Sequence, residues 1–235
     1  MNNQKIIKDQ FIDLKVENLP ISYYIIRKSL LSAVSELKPI IKGKVLDLAC
    51  GLMPYKEYLM NDSVEEYIGV DLEPTEYHNL EKPDFYWDGQ KIPFEAETFD
   101  FVIATEFLEH YFDTSSILKE IQRVLKPGGT FFFTVPNVWP LHEVPYDYHR
   151  FTPYALSEHF KIANFSKSDI KFLGGRNYHL ALSLAIWYDN YWSESRKKVI
   201  KPFFNYIVNT LVKKDKKQNF ANNQMFSGLY GFATK

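Results

Sequence analysis

The chain has 235 residues, of which 46% are apolar and 24% charged, with a formal net charge of −1 and a pI near 6.6. That length and apolar content suit one α/β domain with some added elements, and the near-neutral balance argues against a nucleic-acid partner, whose binding domain would be strongly basic. The opening MNNQKIIKDQFIDLKVEN has no apolar run of signal-peptide length, and no stretch of about 18 uncharged apolar residues follows, so the expected location is cytoplasmic.

In chain order, PISYYIIRKSLLSAVSELKPII predicts an amphipathic helix starting after Pro20 and ending at Lys38-Pro39, within an N-terminal helical segment spanning 1–39. Short β-branched and aromatic runs then alternate with helical patterns, placing strands near 44–49, 66–71, 84–88, 99–105, 129–135 and 168–173. This alternation predicts an α/β fold: a doubly wound, mostly parallel sheet with helices on both faces, its core at 40–175. Between the fourth and fifth strands, DTSSILKEIQRVLKPGG puts Ile117, Leu118, Ile121, Val124 and Leu125 on one helical face, with Asp113 or Thr114 as N-cap and Pro127-Gly128-Gly129 as the stop.

Residues 176–224 read as a helical insertion of two helices, and 225–235 as an antiparallel strand returning to the edge of the core. Within the insertion Arg196, Lys197, Lys198, Lys201, Lys213, Lys214, Lys216 and Lys217 outweigh Glu194 and Asp215, and Phe203, Phe204, Ile207, Val208, Leu211 and Val212 form an apolar stripe. That pattern suits a lid packed on the domain, a homodimer contact, or peripheral contact with the inner face of an anionic membrane.

The most informative stretch is KVLDLACGLMPY, Lys44 to Tyr55. In an open α/β sheet the loop after the first strand floors the ligand crevice. A dinucleotide site needs G-x-G-x-x-G there, yet Gly51 is the only glycine, with Ala49 and Met53 where others would stand and Pro54 expected to open the next helix. Asp71 closes the second strand twenty residues beyond Gly51, placed to accept from both ribose hydroxyls of a nucleoside, and Asp88 ends the third strand, placed to accept from an adenine amine. A glycine turn and two carboxylates fit a nucleoside with an amino-acid tail better than a dinucleotide. Cys50, the only cysteine, reads as a small buried residue; it excludes an intramolecular disulfide and a cysteine-built zinc cage, and no metal is expected.

VLDLACG, GVDL, WDGQKIPF, FDFVIATEFLEH and RVLKPGGTFFFTVP resemble, in order and spacing over roughly 40–160, the class I S-adenosylmethionine-dependent methyltransferases, in particular the type 11 small-molecule branch. The resemblance implies a Rossmann-like seven-stranded sheet and S-adenosyl-L-methionine as cofactor. It would set Asp47, Ala49, Cys50 and Gly51 along the methionine end, Asp71 and Leu72 at the ribose, Asp88 and Gly89 at the adenine, and Thr105 and Glu106 on the sulfonium side. Ala49 departs from the usual glycine, and Leu52-Met53-Pro54 from the looser turn.

Candidate acceptor residues lie in two places. EFLEHYF offers Glu109 and His110, and LHEVPYDYHRFTPYAL offers His142, Glu143, Tyr146, Asp147, Tyr148, His149 and Arg150. Of these His149, Tyr148 and His110 are the candidate proton-transfer groups and His142, Tyr146, Tyr148 and Arg150 the candidate substrate contacts. Thr152-Pro153 reads as a helix N-cap and first residue. ATEFLEH lacks the Pro-Pro-aromatic run by which base N-methyltransferases hold a flipped base, so no nucleic-acid acceptor is expected. The expected reaction is methyl transfer to a small-molecule, glycan or lipid-linked acceptor, at oxygen; the competing expectation is a catalytically silent binding or assembly module on the same fold.

Overall fold

Gly43–Leu48 (β1) is buried along its second half, as a strand covered on both faces must be. The computed structural model describes residues 3–72, 81–215 and 225–235. β1 pairs in parallel with Val64–Asp71 (β2) on one side and Phe99–Thr105 (β4) on the other. Phe85–Tyr86 (β3) flanks β2, and Leu125–Pro136 (β5) flanks β4. Gly228–Thr234 (β7) runs antiparallel between β5 and Lys167–Leu173 (β6), giving the order β3-β2-β1-β4-β5-β7-β6. The strand order reverses between β1 and β4, so the carboxyl ends of β1, β2, β4 and β5 border one crevice.

Helices cover both faces. Asn3–Phe11 (α1), Ile21–Ser35 (α2) and the single turn Lys56–Leu59 (α3) precede β2. Thr114–Val124 (α4) lies before β5 and Pro153–Ile162 (α5) before β6. Asp113 caps α4 by accepting from Ser116 N at 3.1 Å, and Thr152 caps α5 by accepting from Ala155 N at 3.2 Å, with Pro153 as first residue. One core layer joins α4 and α5 to the sheet through Ile117, Leu118, Ile121, Phe131, Phe133 and Phe160. The other joins α2 to Val45, Ile103 and Phe132 and continues into Arg176–Tyr191 (α6) and Glu194–Lys213 (α7).

Asp215 fixes the start of α6, accepting from the backbone N of Gly175, Asn177 and Tyr178. Tyr188 stacks on Phe204 with ring centroids 4.3 Å apart, and Asp189 accepts from Ser22 N and Oγ at 2.7 and 2.6 Å, tying α6 to α2. No helix among the described residues is long and apolar enough to cross a membrane.

Three local expectations need correction. Pro54 is not the first residue of the next helix: α3 begins at Lys56 with Tyr55 as N-cap, because Met53 takes a left-handed backbone that postpones the helical run. The fifth strand starts at Leu125, not 129; a register shift between Phe99 and Phe101 absorbs Pro127 and Gly128, and the helical stop is already at Val124. Phe203 leaves the apolar stripe. Phe204 and Val208 are buried, whereas Val199, Phe203 and Tyr206 face outward between exposed Arg196 and Lys213. The lysines at 216 and 217 lie outside the described residues.

Candidate functional site

The turn after β1 is unusually tight. Ala49, Gly51 and Met53 have φ of 55, 50 and 47°, and Met53 N donates to Cys50 O at 2.7 Å. Asp71 holds the turn against β2: its Oδ2 accepts from Gly51 N and its Oδ1 from Leu72 N, both at 2.7 Å. These two bonds orient the Asp71 carboxylate at the end of β2. A Cβ built on Gly51 would meet nothing within 4 Å, so the backbone there faces open space. This is the geometry a closely apposed ligand requires.

Ala49 adopts a backbone that costs a non-glycine residue about 1–2 kcal/mol. Part of that penalty is returned by the smaller entropy of the unfolded chain. Ala49→Gly is therefore expected to raise stability by about 0.5–1 kcal/mol, read as a higher denaturation midpoint. An unchanged or lower midpoint would show that the turn stores no such strain.

Asp47 is buried below this turn, where its Oδ2 accepts from Tyr67 Oη at 2.7 Å. Burial raises its carboxyl to a pKa of about 7, against the opposing effect of the Tyr67 hydrogen bond. Cys50 is also buried and its thiol is pushed far up by burial, with Asp47 and Asp71 adding to the effect; it is an inert side chain. Asp88 is exposed, and its Oδ1 accepts from Gln90 N and Lys91 N, which lower its pKa. Gly89 follows at φ 78°, 3.2 Å from Leu72 Cδ2 at the position a Cβ would take, while Gly89 O accepts from Tyr111 Oη. Leu72, Asp88 and Gly89 thus form one rim of the crevice.

The opposite rim comes from the ends of β4 and β5. Glu106, with φ 52°, follows Thr105; its N donates to Thr134 O and Oγ1, and its Oε1 accepts from the Thr134 hydroxyl at 2.8 Å. Desolvation raises the carboxyls of both Glu106 and Glu109. Glu109 O accepts from Tyr148 N and His149 N at 2.9 and 3.2 Å, binding the loop after β5 to the loop after β4. His110 and His142, far apart in sequence, meet with Nε2 atoms 3.1 Å apart.

The remaining candidates spread around that meeting point. His149 Nε2 is 3.0 Å from Phe112 O, and its ring stacks on Phe112. Tyr148 packs edge-on to Phe112 and is exposed, as is Tyr146. Arg150 forks onto both oxygens of Asp147 and also donates to the carbonyls of Trp139 and His149, which stiffens the loop. That guanidinium holds the Asp147 carboxyl at a pKa of about 2.

Tyr67, Thr134 and Asp147 do most to position the candidate residues, and periodicity could not reveal them. Tyr67 and Thr134 act through a partner on another strand or loop, and Asp147 through His142 and Arg150 of its own loop. A cavity of about 440 Å³ lies elsewhere, between α1 and the far side of the turn, lined in part by Ile7, Leu52, Met53 and Tyr58 and by none of the crevice carboxylates.

A mostly parallel sheet with this strand order and an antiparallel β7 is the class I methyltransferase fold. Residues 46–133 match the family described as "Methyltransferase domain". Over 113 residues the chain is 35% identical to phthiotriol/phenolphthiotriol dimycocerosates methyltransferase 1 of Mycobacterium ulcerans, covering 44% of this chain and 41% of that protein. Over 115 residues it is 36% identical to the human mitochondrial ubiquinone biosynthesis O-methyltransferase, covering 43% of this chain and 30% of that one. The chain thus matches less than half the length of either relative. Phosphoethanolamine N-methyltransferase 2 of Haemonchus contortus, solved in complex with S-adenosyl-L-methionine, superposes with a TM-score of 0.57 at 18% identity, over 88% of this chain and 52% of that one. The last comparison establishes the fold.

Proposed function

We propose that the protein is an S-adenosylmethionine-dependent methyltransferase that moves a methyl group to a small-molecule, glycan or lipid-linked acceptor, at oxygen. The observation that carries this reading is the joint geometry of Gly51 and Asp71: open space before the glycine, and beside it a carboxylate oriented by two backbone amides. The residues fit the cofactor. Asp71 would accept from the ribose hydroxyls, the Asp88-Gly89 turn and Leu72 would border the adenine, and Asp47, beneath Gly51, would face the cationic amino group of the methionine end.

The bound cofactor supplies a sulfonium methyl with a good leaving group. The chain's own task is to align an acceptor with it and exclude water, a contribution of about 7–11 kcal/mol. Glu106 and the loop 137–150 lie on the side from which an acceptor would come, and the O-methyltransferase among the relatives supports oxygen as the acceptor atom. The outward face of α7, with Val199, Phe203 and Tyr206 between Arg196 and Lys213, supports contact with an anionic bilayer or a second copy of the chain.

Calorimetric titration of the purified protein tests the cofactor. S-adenosylmethionine and S-adenosylhomocysteine are expected to bind at a single site in the micromolar range, and NAD is not. Absence of binding by the first two would overturn the reading in favour of a silent binding or assembly module.

A further inference from the structure

The meeting of His110 and His142 poses an electrostatic problem that a proposed cofactor site does not solve. His110 Nδ1 lies 2.9 Å from Tyr146 O, and His142 Nδ1 lies 3.2 Å from Asp147 Oδ2 and 3.3 Å from Pro140 O. Carbonyl and carboxylate oxygens only accept, and Arg150 donates to both oxygens of Asp147. With Nδ1 given to these oxygens, each ring in its neutral form presents the lone pair of Nε2. Those lone pairs face each other at 3.1 Å.

Between them and the protein interior lies the carboxylate of Glu109, wholly buried, with no donor to either of its oxygens and with Oε1 3.7 Å from His110 Nε2. Three groups that can each give an electron pair to a cation offer ligand atoms within 4.8 Å of one another. The buried Glu109 oxygens have no hydrogen-bond partner, and a positive charge shared with the two rings would satisfy them.

We propose that Glu109, His110 and His142 form a binding site for a divalent transition-metal ion of the kind that imidazole favours. Two imidazole nitrogens and one carboxylate oxygen form a donor set suited to Zn²⁺, Fe²⁺ or Co²⁺ rather than Mg²⁺ or Ca²⁺, which take oxygen ligands. The outer shell is that of a metal site. Each ligating histidine gives its other ring N–H to an oxygen, which fixes its tautomer and ring orientation, and Asp147 is itself clamped by Arg150. The backbone is clamped as well, since Glu109 O accepts from Tyr148 N and His149 N and so brings the two ligand-bearing loops together.

Three protein ligands leave positions open. His110 and His142 are partly exposed, so those positions face solvent at the carboxyl ends of β4 and β5. The use of the site rests on the methyltransferase reading: an acceptor hydroxyl that takes an open position is acidified by the ion. Its proton passes to water, its lone pair forms the new O–CH₃ bond, and the S–CH₃ bond breaks with its electron pair remaining on sulfur.

The first test needs neither cofactor nor acceptor. Chelator-treated full-length protein is titrated with Co²⁺ and followed in the visible, with Zn²⁺ as competitor. One equivalent of Co²⁺ is expected to bind and give d–d bands that Zn²⁺ abolishes. His142→Ala, a partly exposed position, is expected to weaken binding by at least tenfold, the scale of a lost metal-site group, with no change in its thermal unfolding midpoint measured without metal. Catechol, as an oxygen-donor probe, is expected to shift the Co²⁺ bands. Absence of stoichiometric binding, or binding that survives both His142→Ala and Glu109→Gln, would overturn the site and leave a proton as the occupant of the cluster. Unshifted bands with catechol would overturn the open positions. S-adenosylhomocysteine titrated into the chelator-treated protein reports on the cofactor reading separately.

Discussion

Asp71→Ala is expected to weaken S-adenosylmethionine and S-adenosylhomocysteine binding by at least about 100-fold. Hydrogen bonds to a charged group contribute about 1.5–3 kcal/mol each, and a ribose diol would make two, so the loss is about 3 kcal/mol or more. The carboxylate also orients the amide of Gly51, so its removal loosens the turn as well as stripping the ribose of its acceptor. Asp71→Asn keeps one oxygen for that amide and should bind with intermediate affinity. Calorimetry decides: equal affinity in wild type and Asp71→Ala would remove Asp71 from the cofactor site.

The second large effect concerns Asp47. Its folded pKa of about 7 lies above the unfolded value near 3.8, so the native state holds a proton that the unfolded chain has released between those limits. Stability is therefore greatest below the unfolded value and falls as pH rises through the folded one, by up to about 4 kcal/mol in total. A carboxamide in place of this carboxyl would mimic the protonated acid and still accept from Tyr67. Asp47→Asn is thus expected to be the more stable protein at pH 8 and to lose this component of the slope of stability between pH 4 and 7, as followed by denaturant unfolding at several pH values. A variant no more stable than wild type at pH 8 would show that the buried carboxylate is compensated. On the proposed placement the same variant should bind the cofactor less tightly, because the cationic amino group would offset the ionisation of Asp47.

Much of this was open to a reader of the sequence, for a physical reason. Strand ends in a parallel sheet are set by period and length, so Gly51, Asp71 and Asp88 can be placed at the crevice by counting. Ala49 could be seen as a departure, but its left-handed backbone appears only when the turn is closed by Met53 N and Asp71. The Tyr67–Asp47 bond depends on parallel register, which pairs Tyr67 with Val45 and Asp47 with Gly69. The approach of His110 to His142 depends on two loops without any period, joined through one carbonyl, that of Glu109. Phe203 was misplaced for a related cause: a helix holding several apolar residues beside a proline leaves open which ones its neighbours cover, and α6 covers Phe204 and Val208.

The position of β7 has a consequence for the order in which the chain can become structured as it is made. β6 hydrogen-bonds to no strand but β7 among the described residues, and β7 follows only after α6 and α7. On a ribosome β6 emerges with no partner beside it, and β5 carries one unpaired flank until the same moment. Each is an open ladder able to pair with another chain. The loop between β5 and α5, which brings His142 to His110, hangs from that unfinished flank. Assembly of the region around His110 and His142 is thus a late, long-range event with a large loop to close, while the turn around Gly51 can form early from β1 and β2 alone.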